Sequence, residues 1–270
     1  MDRNIQIGAL ISGGGTNLQA IIDACHRTQI NGQMVFVGSD TPGAGGLERA
    51  RQNDIATFVV DYKSIIREFK NDPQKAMLPD DFDLDELLAK QTIFLDQDDP
   101  ERVKSFLLTR VIAEAKLLEA MKPHSFDLLV LAGFMRNLTP YFIDRVNIDR
   151  HRSRIMNIHP ALLPAFPGMD GYGDTLRYGC KVGGCTVHFI DYGEDSGPII
   201  GQRAFPIEPD DSLESIRKKG LAIEWELYPA CIQLFAQDRI RVVRKDFEMA
   251  GGKKISRKVV VIEDLRKTER

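Results

Sequence analysis

Several common classes of site are missing their defining residues in this chain. Only four cysteines occur in 270 residues, and Cys25, Cys180, Cys185 and Cys231 are too sparse and scattered for a disulfide framework, as expected of reduced thiols. The interval Cys180 to Cys185 is longer than a short structural zinc knuckle and has no second pair, so no metal is expected. No apolar run approaches the roughly 18 residues of a membrane helix. Ile5 to Leu10 is also too short for a secretory core and runs into glycines, so a cytoplasmic protein away from membranes is expected. A formal charge of -3 and a pI near 6.0 provide no basic field for nucleic acid. Asp81, Asp83 and Asp85 alternate like the start of a calcium loop, but Glu86 stands where that loop needs glycine and Thr92 where it needs glutamate.

The residues that are present describe an α/β protein. Ile5 to Ile11 is a short apolar run, Ser12-Gly13-Gly14-Gly15-Thr16 a glycine loop, and Leu18, Ile21, Ile22 and Cys25 mark one face of a helix from Asn17 to His26. Strands at 34–37 and 56–60 flank a helix at 47–53, and 127–132 is apolar throughout, as central parallel strands are. This alternation predicts a Rossmann-like, mostly parallel sheet with helices on both faces. Ligands bind such sheets at the carboxyl ends of their strands. Residues 1–270 are expected to form one domain. It is interrupted at about 71–107 by an exposed acidic insertion, with ten acidic and two basic residues between Asp72 and Glu101, and followed by a helix over 103–121. Strand-like runs at 239–243 and 258–262 flank Gly251-Gly252 and predict a terminal hairpin closed by a charged tail.

The glycine loop leaves three readings open. It can hold a phosphate on backbone amides at a helix N-terminus, bind a dinucleotide, or serve only as a tight turn. Leu18 replaces the third glycine of the dinucleotide pattern, and the Gly-Lys-Ser/Thr of a Walker loop is absent, so a single phosphate suits it better than a dinucleotide. Of the five histidines, His26 and His151 lie in polar surroundings and His124 in a turn. His188 is first a hydrogen-bonded strand histidine and second a catalyst. His159 differs, since Asn157-Ile158-His159-Pro160 is a rigid segment bounded by Pro160 and Pro164. With Asp195 further on, Asn157 and His159 unite an amide, an imidazole and a carboxylate. Such a set can polarise a carbonyl and move a proton, as acyl transfer between two nitrogens requires.

The segments Leu10-Ile11-Ser12-Gly13-Gly14-Gly15-Thr16-Asn17-Leu18, Gly46-Leu47-Glu48-Arg49-Ala50, Leu131-Ala132-Gly133-Phe134-Met135-Arg136, Asn157-Ile158-His159-Pro160 and Asp195-Ser196-Gly197-Pro198 carry a family likeness. In that order the chain resembles the folate-dependent formyltransferases, and among them those acting on glycinamide ribonucleotide, from about residue 5 to about 245. The resemblance implies that Gly15, Thr16 and Asn17 hold the ribonucleotide phosphate and that Glu224 contacts that substrate. It implies folate contacts from Arg110, Met135, Arg136, Asn137, Leu138 and Asn157. Asn157 would steady the formyl oxygen, His159 would donate a proton, and Asp195 would favour the imidazolium. The co-substrate implied is 10-formyltetrahydrofolate, with small molecules as the only partners and no tightly bound cofactor.

The chain departs from the family pattern at Asp170-Gly171-Tyr172-Gly173-Asp174, where histidines are usual, and at Leu221, usually polar. Other expectations are a 10-formyltetrahydrofolate hydrolase, a formyltransferase for a different amine, and a nucleotide-binding dehydrogenase. The hydrolases usually carry a small N-terminal domain, whereas this sequence starts at the catalytic fold. The missing third glycine counts against the dehydrogenase.

Overall fold

The computed structural model describes residues 4–95, 97–149 and 152–264. His151, expected at the surface, lies outside these residues, as does most of the charged tail. Strand β1 (Ile5–Ile11) leads through the glycine loop to α1 (Thr16–His26), β2 (Gly32–Ser39), α2 (Gly45–Arg51), β3 (Ala56–Val59) and α3 (Tyr62–Asn71). Next come α4 (Leu84–Lys90), α5 (Pro100–Met121), β4 (Leu128–Leu131), α6 (Pro140–Val146), β5 (Ile155–His159) and α7 (Gly171–Arg177). Then follow β6 (Val182–Phe189), β7 (Ile199–Pro206), α8 (Leu213–Ala236) and the hairpin β8 (Ile240–Glu248) and β9 (Lys254–Ile262). No helix among the described residues is long and apolar enough to cross a membrane.

Seven strands form one sheet in the order β3-β2-β1-β4-β5-β6-β7. The pairs from β3 to β5 are parallel, while β6 and β7 join antiparallel, so the sheet is mostly parallel as the sequence predicts. Strand alternation sends the two faces of the sheet into separate cores. Ile7, Ala9, Ile11, Leu128 and Val130 pack with α1 and α8 through Leu18, Ile21, Leu227 and Ile232. Leu10, Leu129 and Leu131 pack on the other face with Ile112 and Leu117 of α5 and Phe142 of α6. Both faces are therefore covered, and strands buried on both faces read as continuous apolar runs in sequence. Between β1 and β4 the chain leaves the sheet in opposite directions, which opens a crevice at the carboxyl ends of these strands.

The acidic segment is more than a solvated insertion. Leu87 of α4 and Val103, Leu107 and Val111 of α5 are buried with Tyr141 of α6, and Phe82, Leu84, Phe94 and Phe106 pack against them. The aspartates were the dominant sequence signal there because their period concealed this small core. Asp83 caps α4 by accepting from the Asp85 and Glu86 backbone N–H groups, and Asp99 caps α5. Asp81 accepts from Arg145 Nη2 at 2.6 Å.

Candidate active site

A cleft of about 340 Å³ opens at the carboxyl ends of β4 and β5, between the first turn of α1, the loops after β4 and β6, and α8. His159 closes β5 and is only 3% exposed. Its Nδ1 lies 3.1 Å from Asp195 Oδ2, and its Nε2 lies 2.7 Å from the Phe166 carbonyl oxygen. Asp195 and Phe166 both have left-handed backbones, at φ 48° and 54°. Such conformations cost a non-glycine residue of order 1 kcal/mol and persist where the surrounding structure holds them. The two residues that grip the imidazole are thus two of the strained ones.

Burial pulls the His159 imidazole below its ordinary pKa, while the Asp195 carboxylate and the Phe166 carbonyl act to raise it. Asp195 therefore pushes in the direction expected from sequence, but desolvation is the larger effect. Burial also works to raise the Asp195 carboxyl. His188, His159 and the Gly168 N–H outweigh it and hold that group below its ordinary value. The Gly168 N–H donates to Asp195 Oδ2 at 2.8 Å.

His188 joins this group from β6, the strand paired with β5. It is fully buried, and its Nε2 lies 3.2 Å from Asn157 Nδ2 and 3.5 Å from Asp195 Oδ1. The strand placement agrees with the sequence reading, and the ring also lies between Asn157 and Asp195. No linear motif signalled this, because Asn157 faces His188 only through antiparallel register. An amide nitrogen carries two N–H bonds, so Asn157 keeps one donor beyond that directed at His188.

On the cleft wall after β4, Gly133 has φ 81° and turns the chain into Met135, Arg136, Asn137 and Leu138, all of which line the cleft. Ser12 Oγ accepts from the Met135 N–H at 2.8 Å and fastens this wall to the glycine loop. Arg136 is paired with Asp40, and Asn137 Nδ2 donates to Glu194 Oε1 at 3.1 Å. Glu114 of α5 anchors the end of this wall, accepting from the Thr139 N–H at 2.8 Å and from the Thr139 hydroxyl.

Arg110 does not line the cleft. It shares the Tyr62 ring with Arg136, both guanidinium carbons sitting 5.5 Å from the ring centre. Gly15 and Thr16 are likewise outside the lining, at the start of α1. Gly15 takes φ 70°, and a Cβ there would meet Gly46 Cα at 2.7 Å, so close backbone approach as well as conformation demands glycine. Asn17, the second residue of the helix, does reach the cleft, but its Nδ2 donates to Glu224 Oε2 at 2.7 Å. No local pattern around Asn17 marks its side chain as facing α8. Glu224 is 4% exposed and also accepts from the Tyr172 hydroxyl at 2.5 Å. Burial raises its pKa against these two donors. Tyr172 and Leu221, both departures in sequence, line the same end of the cleft.

A half-buried amide and carboxylate around a buried imidazole, with a second, buried carboxylate also on the cleft, coincide with a family match, a formyl transferase model that fits residues 5–232. The chain belongs to the formyl transferase family. It is 34% identical to a phosphoribosylglycinamide formyltransferase of Haemophilus influenzae, over 88% of this chain and 90% of that one. It is also 34% identical to part of a trifunctional purine biosynthetic protein adenosine-3 of Drosophila melanogaster, over 86% of this chain but 14% of that longer protein. A solved glycinamide ribonucleotide transformylase 1 of Symbiobacterium toebii superposes with a TM-score of 0.70 at 34% identity, covering 97% of this chain and 95% of that one. The formyl transferase family thus accounts for the sheet and the cleft together.

Proposed function

We propose that this protein transfers the formyl group of 10-formyltetrahydrofolate to the amine of glycinamide ribonucleotide, in purine biosynthesis. The observation that carries this reading is the contact of His159 with Asp195 beside Asn157 in a cleft that ends at Glu224. In this reading the acceptor amine attacks the formyl carbon, and the carbonyl electron pair moves onto oxygen. The remaining Asn157 N–H steadies that oxygen as its charge grows, where a fixed donor is worth most. The attacking nitrogen gives up a proton, which passes to the folate N10 by way of His159 Nε2 as that nitrogen exchanges its contact with the Phe166 carbonyl for the substrates. Asp195 stabilises the imidazole while it carries that proton. The C–N10 bond then breaks, leaving tetrahydrofolate and the formylated ribonucleotide.

Met135, Arg136, Asn137 and Leu138 form the folate side in this scheme, with Arg110 supporting Arg136 through Tyr62. Gly15, Thr16 and Asn17 lie on the ribonucleotide side with Glu224. Neither a metal nor a covalent enzyme intermediate enters the scheme. The deciding experiment follows tetrahydrofolate formation from 10-formyltetrahydrofolate by absorbance, with and without glycinamide ribonucleotide. Strict dependence on the ribonucleotide, with formylated product recovered, is the expected result. Turnover without it would replace the transferase by a hydrolase, and no turnover in either case would point to another acceptor amine.

A further inference from the structure

Tyr172 occupies a slot shaped for it. Its ring is 5% exposed, and a Cβ on Gly220 would lie 2.1 Å from its Cζ, so the turn of α8 that faces the ring has to be glycine. Glycine is unfavourable in a helix interior, and the ring supplies the reason for this one. Ile216, Gly220 and Glu224 follow at four-residue intervals along the buried stripe of α8, which puts the slot one turn from the carboxylate.

Glu224 is held from two sides, with Tyr172 Oη on Oε1 and Asn17 Nδ2 on Oε2. Each carboxylate oxygen has about two lone-pair sites, so each keeps one. Asn17 Oδ1 is buried with no hydrogen-bond partner. Glu224 and the Asn17 amide oxygen therefore offer acceptors alone to the cleft, and their complement is a group rich in N–H or O–H donors, such as an amine or neighbouring hydroxyls.

We infer that Tyr172 is a positioning residue for the acceptor substrate, fixing Glu224 against Asn17 so that their free lone pairs receive the donors of the incoming molecule. The inference rests on the transferase reading above, and it makes the tyrosine that departs from the family pattern a determinant of acceptor binding. Its action runs through Glu224, and it takes no part in the proton path at His159.

The test is steady-state kinetics of Tyr172→Phe, which removes the hydroxyl and keeps the ring. The KM for glycinamide ribonucleotide should rise about tenfold for the loss of one charge-assisted bond, while kcat and the KM for 10-formyltetrahydrofolate stay within about twofold. Gly220→Ala retains the hydroxyl but crowds the ring, and should raise the same KM. An unchanged acceptor KM in Tyr172→Phe overturns the inference, as does an equal deterioration for both substrates.

If the wild-type protein ignores glycinamide ribonucleotide, the transferase reading falls, and the link is then judged in unliganded protein by carboxyl-carbon NMR of Glu224. The groups facing that carboxylate are Asn17 from α1, Tyr172 from α7 and the Cys185 thiol from β6, with Arg217, His159 and Asp195 elsewhere on the cleft. Loss of the tyrosine donor should move the Glu224 titration to higher pH, since the hydroxyl favours the ionised form. An unmoved titration overturns the inference independently of any substrate.

Discussion

The acidic segment at 71–107 and the cleft both draw on carboxylates, and they use them in opposite ways. In the segment Asp83 and Asp99 cap helices, Asp81 meets Arg145, and Glu86 meets Lys90, all at the protein surface. In the cleft Asp195 and Glu224 are largely withdrawn from water and are held by histidines, an amide and a phenol. A carboxylate acquires chemistry from burial against a specific partner, whereas a high local count of aspartates mainly starts helices. Removing one carboxylate at a time should separate the two uses.

The largest effect is expected at Asp195. Asp195→Asn keeps the shape but takes away the charge beside His159, and kcat should fall by roughly 10²-fold or more, as for other acid–base groups. Retention of full kcat in this variant would remove Asp195 from the mechanism and make the cleft carboxylate resemble the surface ones.

Glu114 is the intermediate case, since it is buried yet lies behind the cleft wall. Burial pushes its carboxyl from 4.5 up to about 7, against the opposing bonds from Thr139. A carboxyl whose folded pKa is raised binds its proton more tightly in the folded state. The stability it contributes is therefore complete below about pH 4.5 and is lost as pH rises through about 7. The difference across that window is on the order of 3 kcal/mol. Glu114→Gln cannot ionise, so denaturant unfolding of this variant should lack that part of the pH slope. An identical slope in variant and wild type would show that folding leaves the Glu114 pKa unshifted.

Asn17 comes next. Asn17→Ala leaves Glu224 with a single donor and should raise the acceptor KM by about tenfold, in line with one hydrogen bond to a charged group. A change confined to the folate KM would move the glycine loop to the other substrate.

What could be read from sequence follows the same division. The strand, glycine loop and helix at the N-terminus were legible because local periodicity and glycine placement determine them, and β1 and α1 fall within a residue of expectation. Asn157, His159 and Asp195 were legible because a rigid proline-bounded segment and a family pattern mark them. His188 behind Asp195, Tyr172 in the slot of Gly220, and Asn17 turned to Glu224 were not. Each depends on contacts between elements distant in the chain, as between Asn17 of α1 and Glu224 of α8. The satellite core under the acidic segment was hidden for a related reason, since Leu87 finds its apolar partners on α5 and α6.

The smallest effect is expected at Asp83. Its side chain accepts from the Asp85 and Glu86 N–H groups at 2.9 and 3.0 Å, which satisfies two of the donors left open at the start of α4. Asp83→Ala should destabilise the protein by about 1 kcal/mol, the usual worth of such a cap, and leave both KM values and kcat unchanged. The segment nevertheless touches the loop that leads to Asp195, because the Thr92 N–H donates to the Tyr192 carbonyl at 3.1 Å. A fall in kcat on loss of the Asp83 cap would mean that α4 holds the Asp195 loop in place through Thr92, and the surface carboxylates would then share in the chemistry at one remove.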